Sequence, residues 1–108
     1  MNNSEASERA RILKALSHPA RLRIVDELSR GERCGCEFIP MLGLDQSVVS
    51  RHLASLRNCG ILTERRDGVR ILYRLATPCI LRALDCTLDV LRQNAARRAE
   101  LLEKKDVA

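Results

Sequence analysis

Apolar residues recur every three or four positions at both ends of the chain and switch to a shorter period between. Ala6, Ala10, Leu13 and Leu16, with Ile12 widening the stripe, predict a helix over residues 4–17. "SHPARLRIVDELSRG" predicts a second helix, in which Ser17 or His18 caps, Pro19 suits the first turn and Gly31 the exit. Leu22, Ile24, Val25 and Leu28 supply its apolar face. "CEFIPMLG" predicts a short third helix ending at Gly43, followed by a tight turn at Leu44 and Asp45. "QSVVSRHLASLRNC" predicts a fourth, with Asp45 as N-cap, Gly60 just past its end, and Val48, Val49, Leu53 and Leu56 facing inward.

Two helices joined by a short glycine-containing turn form a helix-turn-helix, here over about residues 36–59. "ILTERR-DG-VRILYRL" then reads as two β-rich runs around Asp67-Gly68, a hairpin or wing over about 61–75. Thr77-Pro78 opens a last helix over about 78–104, whose stripe of Ile80, Leu81, Leu84, Leu88 and Leu91 has nothing after it in sequence to cover it. It must rest on the first helix or on a second copy of the chain. The expected fold is therefore mainly α with one β-hairpin, a single winged helix-turn-helix domain over 1–108, dimeric through its N- and C-terminal helices.

At 108 residues one domain is expected, with a modest core. Nineteen Lys and Arg against fourteen Asp and Glu give a formal charge of +5, which favours a polyanionic partner through counterion release. No apolar run approaches the roughly 18 residues of a membrane span, and "MNNSEASERA" lacks the basic and apolar regions of a signal peptide, so a cytoplasmic protein with no membrane partner is expected. In a reducing cytosol Cys34, Cys36, Cys59, Cys79 and Cys86 read as free thiols.

Two chemistries then stand out. A recognition helix needs short polar side chains and an arginine or two, which Gln46, Ser47, Ser50 and Arg51 provide. His52 either joins them or packs inside the motif. Arg65, Arg66 and Arg70 in the wing suit phosphate or minor-groove contacts. The second chemistry is Cys34 and Cys36: thiolates select soft ions, yet residues i and i+2 of an α-helix point apart. Gly35 and Pro40 both loosen helix at this point. An ion drawing both sulfurs together is thus expected to distort the start of the third helix and displace the recognition helix. Cys79 and Cys86 are either small interface hydrophobes or further ligands, and Cys59 is expected to be packing. An enzyme is not expected, because two His, no Cys-x-x-Cys and no glycine-rich phosphate loop leave a nucleophile without its supporting base.

The run "MLGLDQSVVSRHLASLRNCGILTERRDGVRILYRL" (41–75), with "LKALSHPARLRIVDEL" (13–28), resembles the ArsR/SmtB family of metal-responsive bacterial repressors over most of the chain. The resemblance implies a homodimer that binds palindromic double-stranded operator DNA and lets go when an inducer binds. "RCGCEF" looks like the Cys-x-Cys box of the arsenic-, antimony-, cadmium- and lead-sensing members, except that Ile39 stands where arsenic sensors often carry a third cysteine. Cadmium and lead sensors add N-terminal cysteines, and zinc and nickel sensors use His on the last helix. Neither is present here, so the resemblance implies arsenite or antimonite as inducer in arsenic resistance, held by Cys34 and Cys36 with Cys79 or Cys86 as the third ligand and no organic cofactor. A redox or sulfide switch joining Cys34 or Cys36 to Cys79 or Cys86, or a cadmium or lead sensor, is the alternative.

Overall fold

A computed structural model describes residues 1–106. It divides the chain into two compact units, residues 1–78 and the segment from Cys79 onward. The first unit runs α1 (Asn3–Leu16), α2 (Pro19–Leu28), β1 (Arg33–Cys34), a 3-10 turn (Gly35–Glu37), α3 (Phe38–Leu42), α4 (Gln46–Asn58), β2 (Leu62–Asp67) and β3 (Arg70–Leu75). The second is one helix, α5 (Ile80–Asp106).

The helix ends follow local chemistry. The Asn2 side chain accepts the Glu5 N–H at 2.8 Å and starts α1. Pro19 begins α2 at the position where a missing N–H costs nothing, behind an extended His18 that makes no side-chain cap bond. Gly43, at φ +66°, closes α3 in the left-handed region, and its N–H reaches the Ile39 carbonyl. Asp45 occupies the N-cap of α4, but its carbonyl rather than its carboxylate holds the first turn, accepting from Val48 and Val49.

The sheet is antiparallel in the order β1-β3-β2. The expected hairpin is present, from Leu62 opposite Leu75 to Asp67 opposite Arg70. Its turn is one residue later than expected: Gly68 takes φ +64° and Val69 a negative φ, the sign pattern of a type II′ turn with glycine first. The unexpected strand is β1, which sets Arg33 opposite Tyr73 and Cys34 opposite Leu72. Two residues carry no readable alternation, so only the partner strand reveals them.

Phe38, Ile24, Leu56, Leu62, Val25 and Val49 are the largest fully buried side chains. They draw α2, α3, α4 and β2 around one centre and fix the angle at which α4 projects from the unit. The stripe expected on α1 is buried only at Leu16, while Leu13 stays 58% exposed, and Leu88 and Leu91 of α5 are exposed as well. Among the described residues no helix is long and apolar enough to cross a membrane.

Candidate nucleic-acid interface and thiol site

Helix α4 carries two kinds of polar residue. Gln46, Ser47, Ser50 and Arg51 are exposed over its first two turns. His52 turns the other way: its Nδ1 accepts from Arg21 Nε at 3.0 Å, and its ring centroid lies 5.7 Å from that of His18. An acceptor Nδ1 requires the neutral tautomer protonated at Nε2. Burial, and then the charges of Arg21, His18 and Arg51, hold the His52 pKa below its usual value. The same guanidinium donates to the Ala15 carbonyl and to Ser55 Oγ, both at 3.1 Å, tying α1, α2 and α4 together. Arg21 carries no signal in a helical stripe, because a stripe records faces and not partners.

The three wing arginines differ too. Arg65 forms a two-pronged pair with Glu32, at 2.9 Å and 2.7 Å, which lowers the Glu32 pKa and raises that of Arg65. Arg66 and Arg70 enter no ion pair among the described residues. Adjacent residues of a strand point to opposite faces, so Arg65 and Arg66 diverge.

The thiol pair lies at a corner rather than on a helix. Cys34 ends β1 and caps the 3-10 turn: its Sγ accepts the Cys36 N–H at 3.3 Å, while its own N–H donates to Glu37 Oε2 at 2.8 Å. This is a capping box with sulfur in place of a hydroxyl, a Cys-x-x-Glu spacing visible in the sequence but not recognised there. The sulfurs of Cys34 and Cys36 are joined as a disulfide, with Cα atoms 5.2 Å apart. One expectation is thereby corrected. No helical turn has to open before these two sulfurs meet, because the backbone between them is already extended and then 3-10. Pro40 does not push Ile39 out of helix either; it sits in the first turn of α3, where no amide hydrogen is required.

Gly35 has a packing role. A Cβ there would lie 2.9 Å from the Tyr73 ring and 3.3 Å from Leu53, so glycine is what lets the corner close onto β3 and α4. Cys34 is buried and Cys36 exposed. Both open on a cleft of about 380 Å³ that Gln46 and Ser50 of α4 and Arg70 of the wing also line, with Ile39, Val49 and Tyr73 among its walls. The structure thus brings Cys34, Cys36, Gln46, Ser50 and Arg70 to one place. Cys59 is half-buried and donates to the Leu56 carbonyl, whereas Cys79 and Cys86 are exposed and unpaired. Among the described residues no three His, Cys, Asp or Glu side chains gather to hold a metal ion.

Residues 18–64, from the start of α2 into β2, match the arsR family of bacterial regulatory proteins. The arsenic resistance transcriptional regulator ArsR1 of Pseudomonas putida is 36% identical over 101 residues, covering 86% of this chain and 79% of that protein. The chain belongs to the ArsR family. Its relatives are transcription regulators, not enzymes. A probable mercury resistance operon repressor of Streptomyces lividans is 39% identical over 69 residues, 64% of this chain and 55% of that repressor, so the chain aligns with about half of its length. Among solved structures, Rv0081 of Mycobacterium tuberculosis superposes with a TM-score of 0.79 at 32% identity, covering 91% of this chain and 99% of that one. The homodimeric winged helix-turn-helix DNA-binding domain Mb0332 of Mycobacterium bovis superposes with a TM-score of 0.73 at 28% identity, covering 90% and 93%. This ArsR-family chain is a winged helix-turn-helix, with α3 and α4 as the paired helices and the β2–β3 hairpin as the wing.

Proposed function

We propose that the chain is a homodimeric repressor that grips operator double-stranded DNA through α4 and the wing, and releases it when trivalent arsenic or antimony binds Cys34 and Cys36. The observation that carries this reading is the shared cleft: Cys34 and Cys36 line the same space as Gln46, Ser50 and Arg70. Gln46 suits an adenine edge, Ser47 and Ser50 a base edge or phosphate, and Arg51, Arg66 and Arg70 the backbone. Arg65 acts on DNA only after leaving Glu32, and His52 supports α4 from behind. The exposed apolar residues of α1 and α5 are the surface that a second copy covers, as the homodimeric relative suggests.

Release needs no helix to unwind. Cys34 is hydrogen-bonded into the sheet opposite Leu72 of β3, so an ion seated on its sulfur acts on the wing through one strand and on α4 across the cleft. The corner suits a soft ion in donor type, and it satisfies two of the three valences of trivalent arsenic. Cys79 or Cys86 is the proposed source of a third thiolate.

The experiment is fluorescence anisotropy on operator DNA with reduced protein and a panel of arsenite, antimonite, cadmium, lead and zinc. Arsenite and antimonite should release the DNA, whereas release by zinc alone would remove the assignment of Cys34 and Cys36. One observation favours a second reading, a redox switch: the sulfurs of Cys34 and Cys36 are joined to each other, not to Cys79 or Cys86. Peroxide accepting two electrons and two protons from the two thiols would form this disulfide. If peroxide releases operator and arsenite does not, the second reading replaces the first.

A further inference from the structure

Helix α4 has two flanks. Gln46, Val49, Ser50 and Leu53 border the cleft shared with the wing, whereas Val48, Arg51, His52 and Ser55 fall on the opposite side of the helix and border a different space. That space consists of two adjoining clefts of about 440 and 540 Å³ at the corner where α1 meets α2, with His18, Arg21, Ser55 and Asn58 common to both. Arg51 lines one of them, and Arg11 and Lys14 of α1 line the other. No Asp or Glu lines either.

The positive charge of this corner is not neutralised within the fold. Arg21 donates to an imidazole nitrogen, a carbonyl and a hydroxyl, all neutral acceptors. Among the described residues Lys14, Arg21 and Arg51 enter no ion pair, and Arg11 meets only the exposed Glu8, at 3.5 Å. The His18 side chain makes no cap bond on its own helix. A half-buried cation without a counterion favours an anion from outside. An α-helix with its side chains is about 10–12 Å across and the major groove about 12 Å wide, so a helix seated there brings the bordering strands against whatever flanks it. The wing is one flank, with Arg70, and the α1–α2 corner is the other.

Resting on the reading of α4 as the helix that enters the DNA groove, we infer that the α1–α2 corner is a second phosphate seat, in which Lys14, His18 and Arg51 hold the backbone strand on the side of α4 away from the wing. Arg21, whose donors serve the fold, adds its charge without leaving its partners. Such a seat reads no sequence. It fixes how α4 lies in the groove, and it extends the DNA-binding surface to α1 and α2, outside both the paired helices and the wing.

The test is an anisotropy titration of full-length reduced protein on operator duplexes in which single phosphates are replaced by neutral methylphosphonates. Wild type is compared with Lys14→Gln, His18→Gln and Arg30→Gln, the last removing the same formal charge as Lys14→Gln from beyond the far end of α2 and outside both clefts. Lys14→Gln should weaken operator and unrelated duplexes alike, about three- to tenfold at low salt, and lower the salt slope by about one per chain. Arg30→Gln should change affinity less than about twofold. At least one methylphosphonate should cost wild type about threefold or more and cost Lys14→Gln nothing, a coupling that a merely structural role would not produce. Circular dichroism and sedimentation confirm that each variant is folded and dimeric. Equal losses in Lys14→Gln and Arg30→Gln, or no phosphate coupled to position 14 or 18, would overturn the inference. Pyrophosphate titrated into DNA-free protein separates the other source of the same chemistry: binding that Lys14→Gln removes, with no coupled DNA phosphate, would give the seat to a soluble anion and also overturn it. Gln46→Ala is run in parallel. If Gln46→Ala acts and Lys14→Gln does not, only this inference falls; if Gln46→Ala changes neither affinity nor selectivity, the reading of α4 falls and takes the inference with it.

Discussion

The two halves of α4 use similar side chains for opposite ends. The N-terminal half leaves Gln46, Ser47, Ser50 and Arg51 exposed, whereas the C-terminal half commits His52 and Ser55 to Arg21. A polar group whose hydrogen bonds are filled within the fold has little left for a ligand, and one left open is available to it. The wing repeats the contrast, with Arg65 held by Glu32 and with Arg66 and Arg70 outside any ion pair among the described residues. Position on a helix or strand places a residue on the proposed DNA-facing surface; its existing partners decide whether its polar atoms are free to bind there.

That contrast orders the expected effects. The largest concerns induction: Cys34→Ser should abolish arsenite-driven release, on the order of 100-fold or more in the concentration needed, with operator affinity in the absence of inducer little changed, as measured by anisotropy. Next, Gln46→Ala should weaken operator binding by about 1–3 kcal/mol and relax selectivity at one base pair, while Arg66→Ala should weaken all sequences alike and reduce the salt slope by about one. Equal losses of sequence selectivity in the two variants would erase the distinction between reader and anchor. Arg21→Met should leave DNA-contacting groups in place but strip partners from His52, Ser55 and the Ala15 carbonyl, a loss of about 2 kcal/mol in urea unfolding. Gly35→Ala should cost about 1–2 kcal/mol, because the new methyl must displace the Tyr73 ring.

The smallest effect is that of pH. The unfolded chain protonates His52 at its ordinary value, 6.5, while the folded chain resists the proton because of burial and the neighbouring Arg21. This contribution to stability is whole above pH 6.5 and is lost as pH falls through the lower folded value. His52→Gln, which keeps an acceptor for Arg21, should flatten that part of the unfolding profile, and an unchanged profile would show that His52 is not the group responsible.

Much of this was legible beforehand, and for identifiable reasons. The helix-turn-helix announces itself through Gly43, Asp45 and Gly60, and the wing through Asp67-Gly68, because turns are written in local residue types. The corner at Cys34 was not legible. A two-residue strand has no period, Gly35 suggests looseness until the Tyr73 ring beside it is known, and the bonding of Cys34 to Glu37 follows from a backbone path set by β3. The sequence leaves His52 between the DNA-facing set and the interior for a related reason: its partner Arg21 lies 31 residues away in sequence.

Inducer and operator, on this account, compete for one region. The direct test is reciprocity: arsenite affinity is measured for the free reduced protein and for its operator complex, and operator affinity with and without arsenite. The account predicts the same factor in both directions, about tenfold or more. Arsenite binding the DNA complex as tightly as the free protein, with the metalloid still on Cys34 and Cys36, would contradict it.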